Sequence, residues 1–165
     1  MHLVKQQLFQ KNYNKRINFD DVNKIMKLVE YLVSLDESSL IIVEGKKDAV
    51  ALKSLGTKAE IFQVKGRNFS KLICKLQEEG RRRRVIIMPD FDRKGEEKYQ
   101  QWSKALRGIA EVDYFTWKKF RVLVTRNVKD IEGLPRLVEK IKYSNFSSTL
   151  TIGLIGGLSP SSPTS

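Results

Sequence analysis

The chain has 165 residues, 41% hydrophobic and 30% charged, which suits one globular domain with a short appendage. Its single cysteine, Cys74, excludes an intramolecular disulfide or a cysteine zinc site, and its single histidine, His2, removes histidine triad and acid–base chemistry. A formal net charge of +12 and a pI of about 9.8 favour a polyanionic partner such as nucleic acid.

Residues 1–19 are polar and basic with little periodicity and read as a flexible arm. Asp20-Asp21 offers an N-cap before Val22, Ile25, Met26, Val29, Leu32 and Val33, whose spacing predicts an amphipathic helix over 21–35. Residues 1–36 thus form a lead-in unit. Leu40-Ile41-Ile42-Val43 is a continuous apolar run, typical of a parallel strand covered on both faces. A helix over 46–55 follows, with Ala49, Val50, Leu52 and Leu55 turned inward and Gly56 at its end. A second strand is predicted over 60–64, then a helix over 68–79. Four arginines, Arg81 to Arg84, lead into a third strand over 85–88. They read as a remote basic face or as surface charge that serves solubility alone.

A helix over 96–107, a strand over 111–115 and closing helices over 117–125 and 135–142 complete the pattern. Trp102 and Trp117 read as core residues, and so does Cys74 at the end of Leu72-Ile73-Cys74. Alternating strands and helices predict a doubly wound α/β fold. The domain proper is 37–146, and the Ser-, Thr-, Gly- and Pro-rich stretch 147–165 reads as an unpacked, disordered tail. No apolar run reaches membrane-span length and no signal-peptide pattern opens the chain, so a soluble cytoplasmic protein is expected.

Three carboxylates fall where strands end: Glu44 after the first, Asp90 and Asp92 after the third. Ligands of open parallel sheets collect at the carboxyl ends of strands, so these acids can converge if the two strands are neighbours. Like charges held together raise one another's pKa, and a hard divalent cation resolves that conflict. Mg²⁺ suits such a pair, since it keeps waters and substrate phosphate oxygens in its shell. Lys46, Lys47, Arg67, Arg93 and Lys94 lie near the same turns, where they can hold a nucleic-acid backbone.

Val43-Glu44-Gly45-Lys46-Lys47-Asp48-Ala49, then Gly66, then Asp90-Phe91-Asp92-Arg93-Lys94-Gly95 together resemble the TOPRIM domain. That module is shared by topoisomerases, bacterial-type primases, recombination-repair proteins and a ribonuclease that matures 5S ribosomal RNA. The nearest likeness is to the small stand-alone archaeal TOPRIM proteins, which Val128-Lys129-Asp130-Ile131-Glu132-Gly133-Leu134 also resembles in part. The resemblance implies a compact three-layer fold with a central, largely parallel four-stranded sheet flanked by helices. It makes Glu44 the general acid or base and a metal contact, and Asp90 and Asp92 the Mg²⁺ ligands. Gly45, Gly66 and Gly95 would form the tight turns. Some members carry a third acid two residues after the second aspartate. Here Lys94 stands there, which points to one cation rather than two. Asp48 either orients the Glu44 loop or favours the helix N-terminus.

Two functions follow. One is a Mg²⁺-dependent enzyme acting on nucleic-acid phosphodiesters, most plausibly a nuclease. The other is a non-catalytic module that holds RNA or DNA within a larger complex. A phosphotransfer receiver would need its acid pair after the first strand, where only Glu44 stands. An aspartate phosphatase would need a small hydroxyl residue where Arg93-Lys94 stands.

Overall fold

The computed structural model describes residues 17–156; the arm expected at 1–16, with His2, and the end of the tail at 157–165 lie outside them. Helix α1 (Phe19–Ser34) is capped by Asn18, whose Oδ1 accepts from the Asp21 N–H at 2.8 Å, so the acids read as caps instead sit in the first turn. There they favour the positive end of the helix dipole. Ile25, Val29 and Leu32 bury its apolar stripe in the common core.

The remaining elements alternate: β1 (Leu40–Val43), α2 (Lys46–Leu55), β2 (Glu60–Gln63), α3 (Asn68–Glu78), β3 (Arg84–Ile87), α4 (Arg93–Leu106), β4 (Glu111–Asp113), α5 (Thr116–Val124), a 3₁₀ turn (Ile131–Gly133) and α6 (Leu134–Gly156). The four strands form one sheet in the order β2-β1-β3-β4, and every pairing is parallel. This is the expected α/β architecture, with a wholly rather than largely parallel sheet.

The register decides where the chemistry can occur. Ile42 pairs with Ile87, and the Met88 N–H donates to the Ile42 carbonyl at 2.8 Å. Glu44 and the Pro89-Asp90 segment therefore leave the sheet side by side. Behind them, Tyr99 and Trp117 stack with ring centroids 4.6 Å apart, and the Trp117 indole donates to the Pro89 carbonyl at 2.8 Å. That bond ties the Pro89-Asp90 turn to the core, where truncating either ring would cost on the order of 3–5 kcal/mol.

Several expectations are corrected. Cys74 is exposed, because α3 buries Leu72 and Leu76 and Cys74 faces away from both. Val50 is exposed for the same reason, since Asp48, Ala49, Ala51 and Leu52 form the buried side of α2. The backbone of α6 stays helical to Gly156, well into the stretch read as a tail.

One arginine of the run is structural, while Arg81, Arg82 and Arg84 stay exposed. Arg83 is buried at the amino end of the sheet, donating from Nε to the Ser38 carbonyl at 2.9 Å and pairing with Glu60 at 2.8 Å and Glu79 at 3.6 Å. Arg84 pairs with Glu111 at 3.0 Å, and Arg82 donates to the Gly108 carbonyl at 3.0 Å.

Candidate functional site

Glu44 and Asp90 meet at the carboxyl ends of β1 and β3. Glu44 Oε1 accepts the Asp90 backbone N–H at 3.2 Å, and Glu44 Oε2 is ion-paired with Lys98 of α4. Asp90 Oδ1 accepts the Ile131 N–H at 3.3 Å, and the Phe91 N–H donates to the Lys129 carbonyl at 2.9 Å. The stretch 128–134 is thus folded against the acidic turn, and its resemblance to other chains there reflects a contact with the site.

Asp92 behaves differently. Its Oδ1 accepts the Gly95 N–H at 2.7 Å, which makes Asp92 the N-cap of α4 and turns it toward solvent. Among the described residues no three acids stand close enough together to cage an ion. The convergence expected of Glu44, Asp90 and Asp92 is therefore limited here to the first two. Capping explains the difference: a side chain that satisfies the first turn of a helix cannot also aim that oxygen into the crevice.

The acids that do gather around Asp90 are Asp48, Glu44 and Asp130. Burial first, then repulsion from Asp48, with Glu44 and Asp130 adding to it, pushes the Asp90 carboxyl up to about 6 against the pull of the Ile131 N–H. Asp48 is raised too, chiefly by burial, with Glu44, Asp130 and Glu132 as its repulsive neighbours. Asp48 Oδ2 accepts the Gly45 N–H at 2.9 Å, so it does shape the Glu44 loop.

The three glycines serve different ends. Gly95 is the demanding one: a Cβ there would lie 1.7 Å from the Asp90 carbonyl oxygen. Helix α4 can start against the acidic turn only because no side chain intervenes. Gly66 has φ +52°, a left-handed turn after β2. Gly45 is extended and caps α2 through its backbone.

The five predicted cations are all exposed on turns at the same edge of the sheet. Lys46 and Lys47 open α2, Arg67 precedes α3, and Arg93 and Lys94 open α4. Lys47 reaches Glu132 at 3.8 Å and Arg93 reaches Glu97 at 3.6 Å, both at high exposure, where such pairs contribute little. They remain available to phosphates.

Lys98 and Asp130 escaped the sequence reading. Lys98 had a legible signal, since it falls three residues after Gly95 on a helix whose Gly95, Tyr99 and Trp102 face inward. Asp130 had only its place in the resembling stretch 128–134, as it reaches the site through a loop that follows α5.

A divalent cation fits this donor set in one form. A half-buried carboxyl held away from ionisation by other acids, beside a second carboxylate that has drawn in an ammonium, is a site short of positive charge. The chemistry matches a hard ion held by one or two carboxylates with water and phosphate oxygens completing its shell, not an all-protein cage.

The family model for the Toprim domain matches residues 39–126. The UPF0292 protein of Thermococcus kodakarensis is 35% identical over 118 residues, covering 70% of this chain and 84% of that one. The UPF0292 protein of Methanosarcina acetivorans is 31% identical over 128 residues, covering 72% and 85%. Among solved structures, a putative protein from Aquifex aeolicus superposes with a TM-score of 0.52 at 25% identity, covering 65% of this chain and 94% of that one.

Proposed function

This chain belongs to the Toprim domain family, and from that premise we propose that it is a Mg²⁺-dependent factor that cleaves nucleic-acid phosphodiesters in the cytoplasm. Toprim domains are metal-binding modules of nucleic-acid proteins, and that general character extends to this chain. No helix of the described residues is long and apolar enough to cross a membrane. The observation that carries the reading is the Asp90 carboxyl, half-buried among Asp48, Glu44 and Asp130 and pushed up to about 6. Perturbed acids crowded at the carboxyl ends of parallel strands are what a phosphoryl-transfer centre requires.

Asp90 and Glu44 would hold the ion, and Asp92, exposed and capping α4, would join them only by turning from the Gly95 N–H. The bound cation would neutralise charge on the scissile phosphate and acidify a water. Glu44 would be the group to take a proton from the attacking oxygen or return one to the leaving oxygen. Lys98 positions Glu44 by holding Oε2, while the Asp90 N–H holds Oε1. Lys46, Lys47, Arg67, Arg93 and Lys94 supply phosphate contacts along the crevice, and the amino ends of α2 and α4 add backbone donors there.

The test is cleavage of end-labelled RNA and DNA with Mg²⁺, comparing wild type with Glu44→Gln and Asp90→Asn. Loss of cleavage in both variants supports the reading, and cleavage that survives them assigns the activity to a contaminant.

A second reading rests on the Lys98–Glu44 ion pair, which leaves Glu44 already neutralised by a side chain. On that reading the chain binds RNA or DNA without turnover. Salt-sensitive binding that persists in EDTA with no product formed would favour it.

A further inference from the structure

A groove of about 1030 Å³ runs along β4, the edge strand of the sheet, between α1 and α5. Its floor is apolar and aromatic, with Leu28, Tyr31 and Val112. Its rims carry Lys24 and Lys27 from α1 and Lys118 and Lys119 from α5. None of the four lysines is ion-paired among the described residues; Lys119 lies 5.9 Å from the centroid of the Phe115 ring and Lys118 lies 5.6 Å from that of Tyr99. The acids in the groove are already engaged: Glu111 pairs with Arg84, and Asp113 accepts from Phe115, Thr116 N–H and the Thr116 hydroxyl. Phe115 and Val122 stand 70% and 83% exposed at its mouth, an unusual investment of apolar surface beside so many unneutralised cations.

We propose that this groove is a binding track for single-stranded nucleic acid, with phosphates on the lysine rims and bases stacked on Phe115 and its aromatic neighbours. A basic trough with an exposed ring inside is the combination that single strands use and duplexes cannot, because duplex bases are already stacked. Charge decides against a second copy of this chain, since an isologous contact would set the same lysines against one another.

The placement connects the track to the site. All strands are parallel, so Tyr114 and Phe115, just past β4, lie on the same edge of the sheet as Glu44 and Asp90. Helix α5 forms the wall between them. Its Trp117 and Arg121 bond the carbonyls of Pro89 and Phe91 in the acidic turn, while Lys119 and Val122 face the groove. Lys24, Lys27, Leu28 and Tyr31 lie outside the residues matched by the Toprim family model, so the α1 wall of the track is added to the matched domain. As a statement about substrate it rests on the phosphodiester reading above, but the binding itself does not.

The test is fluorescence anisotropy of the whole protein in EDTA at low salt, with labelled oligothymidylate and oligouridylate of about twelve nucleotides and a duplex of the same length. Single strands should bind more tightly than the duplex. Phe115→Ala should weaken them about tenfold, as expected for loss of one stacked base. Lys27→Glu with Lys119→Glu should do the same or more, and flatten the salt dependence. Val122→Glu, at a solvent-exposed position where misfolding is not a concern, should also weaken binding. Wild-type affinity in all three variants overturns the proposal. So does equal affinity for duplex, or tighter binding of polyglutamate than of oligonucleotide, which would assign the groove to an acidic peptide. If Asp90→Asn abolishes cleavage while the groove variants bind normally, the track is wrong and the catalytic reading stands. If the groove variants lose binding and wild type cleaves nothing with Mg²⁺, the track stands and the catalytic reading falls.

Discussion

The two ends of the same four strands are built on opposite principles. At the amino ends, Arg83 is buried with its guanidinium shared among the Ser38 and Ser39 carbonyls and the Glu60 and Glu79 carboxylates. Opposite charges are matched there, and the Glu60 carboxyl is held below its ordinary value by Arg83 and Lys75, against burial. At the carboxyl ends, Asp90, Asp48 and Glu44 are crowded with like charges, and burial and repulsion push Asp90 and Asp48 upward. One end has its electrostatics satisfied internally. The other is left in conflict, and conflict of that kind is resolved by something bound.

The largest expected effect comes from breaking the satisfied end. Arg83→Met leaves Glu79 and the buried Ser39 carbonyl without their cation, while Glu60 keeps Lys75. Such losses cost about 3 kcal/mol, because Glu79 and the Ser39 carbonyl stay largely shielded from water once the guanidinium is gone. Urea unfolding should show the drop, with the Mg²⁺ affinity of the folded protein unchanged. A loss under about 1 kcal/mol would mean that the clamp is no stronger than a surface pair.

Gly95→Ala should come next, at about 2–3 kcal/mol, because the added methyl would sit 1.7 Å from the Asp90 carbonyl oxygen and has to displace that backbone. Unlike Arg83→Met, it should lower Mg²⁺ affinity along with stability. Calorimetric titration of the folded variant separates the two outcomes, and normal affinity would mean that the acidic turn tolerates the shift.

The conflicted end has a pH signature whose sign can be worked out. Folded Asp90 titrates near 6, while the unfolded side chain titrates near its ordinary value of about 4. A raised native pKa means the fold binds this proton more tightly. The associated stability is therefore present below about pH 4 and is lost as pH rises toward 6. Asp90→Asn keeps an acceptor for the Ile131 N–H and removes the charge. It should stabilise the protein without metal at pH 7 by about 1 kcal/mol, a figure discounted because the group is only half-buried. The advantage should shrink toward pH 4, and Mg²⁺ should reverse it by stabilising wild type alone. A melting series in pH with EDTA or Mg²⁺ would show both trends. A variant less stable than wild type at pH 7 without metal would remove the claim of conflict.

The contrast also explains what could be read from the chain alone. The runs 40–43 and 85–88 were visible as strands because a doubly covered parallel strand leaves an uninterrupted apolar run, and Glu44 and Asp90 were visible because they follow those runs. Local pattern misled wherever a residue's neighbours in sequence are not its neighbours in space. Cys74 borrows apolarity from Leu72 and Ile73 but sits off the buried face of α3. Arg83 looks like one of four exposed arginines, yet the register places it alone over the Ser38–Ser39 backbone. Asp92 was paired with Asp90 by spacing, whereas the start of α4 turns it into a cap. Asp130 lay in the resembling stretch 128–134, but its approach to Asp90 depends on how the chain returns after α5.

The smallest effect probes the join between conflict and resolution. Lys98 holds Glu44 from α4, where a positive charge competes with any cation that the carboxylates would share. Lys98→Met preserves the length of the side chain and removes the ammonium. At separations near 4 Å in a solvent-rich site such a charge is worth about 1 kcal/mol, so Mg²⁺ should bind roughly fivefold more tightly. Cleavage should nevertheless fall, because Glu44 would lose the contact that orients it for proton transfer. Opposite movements of affinity and rate would identify Lys98 as a positioning residue at the metal's edge. Unchanged Mg²⁺ affinity would place the ion away from Glu44, on Asp90 and its acidic neighbours alone.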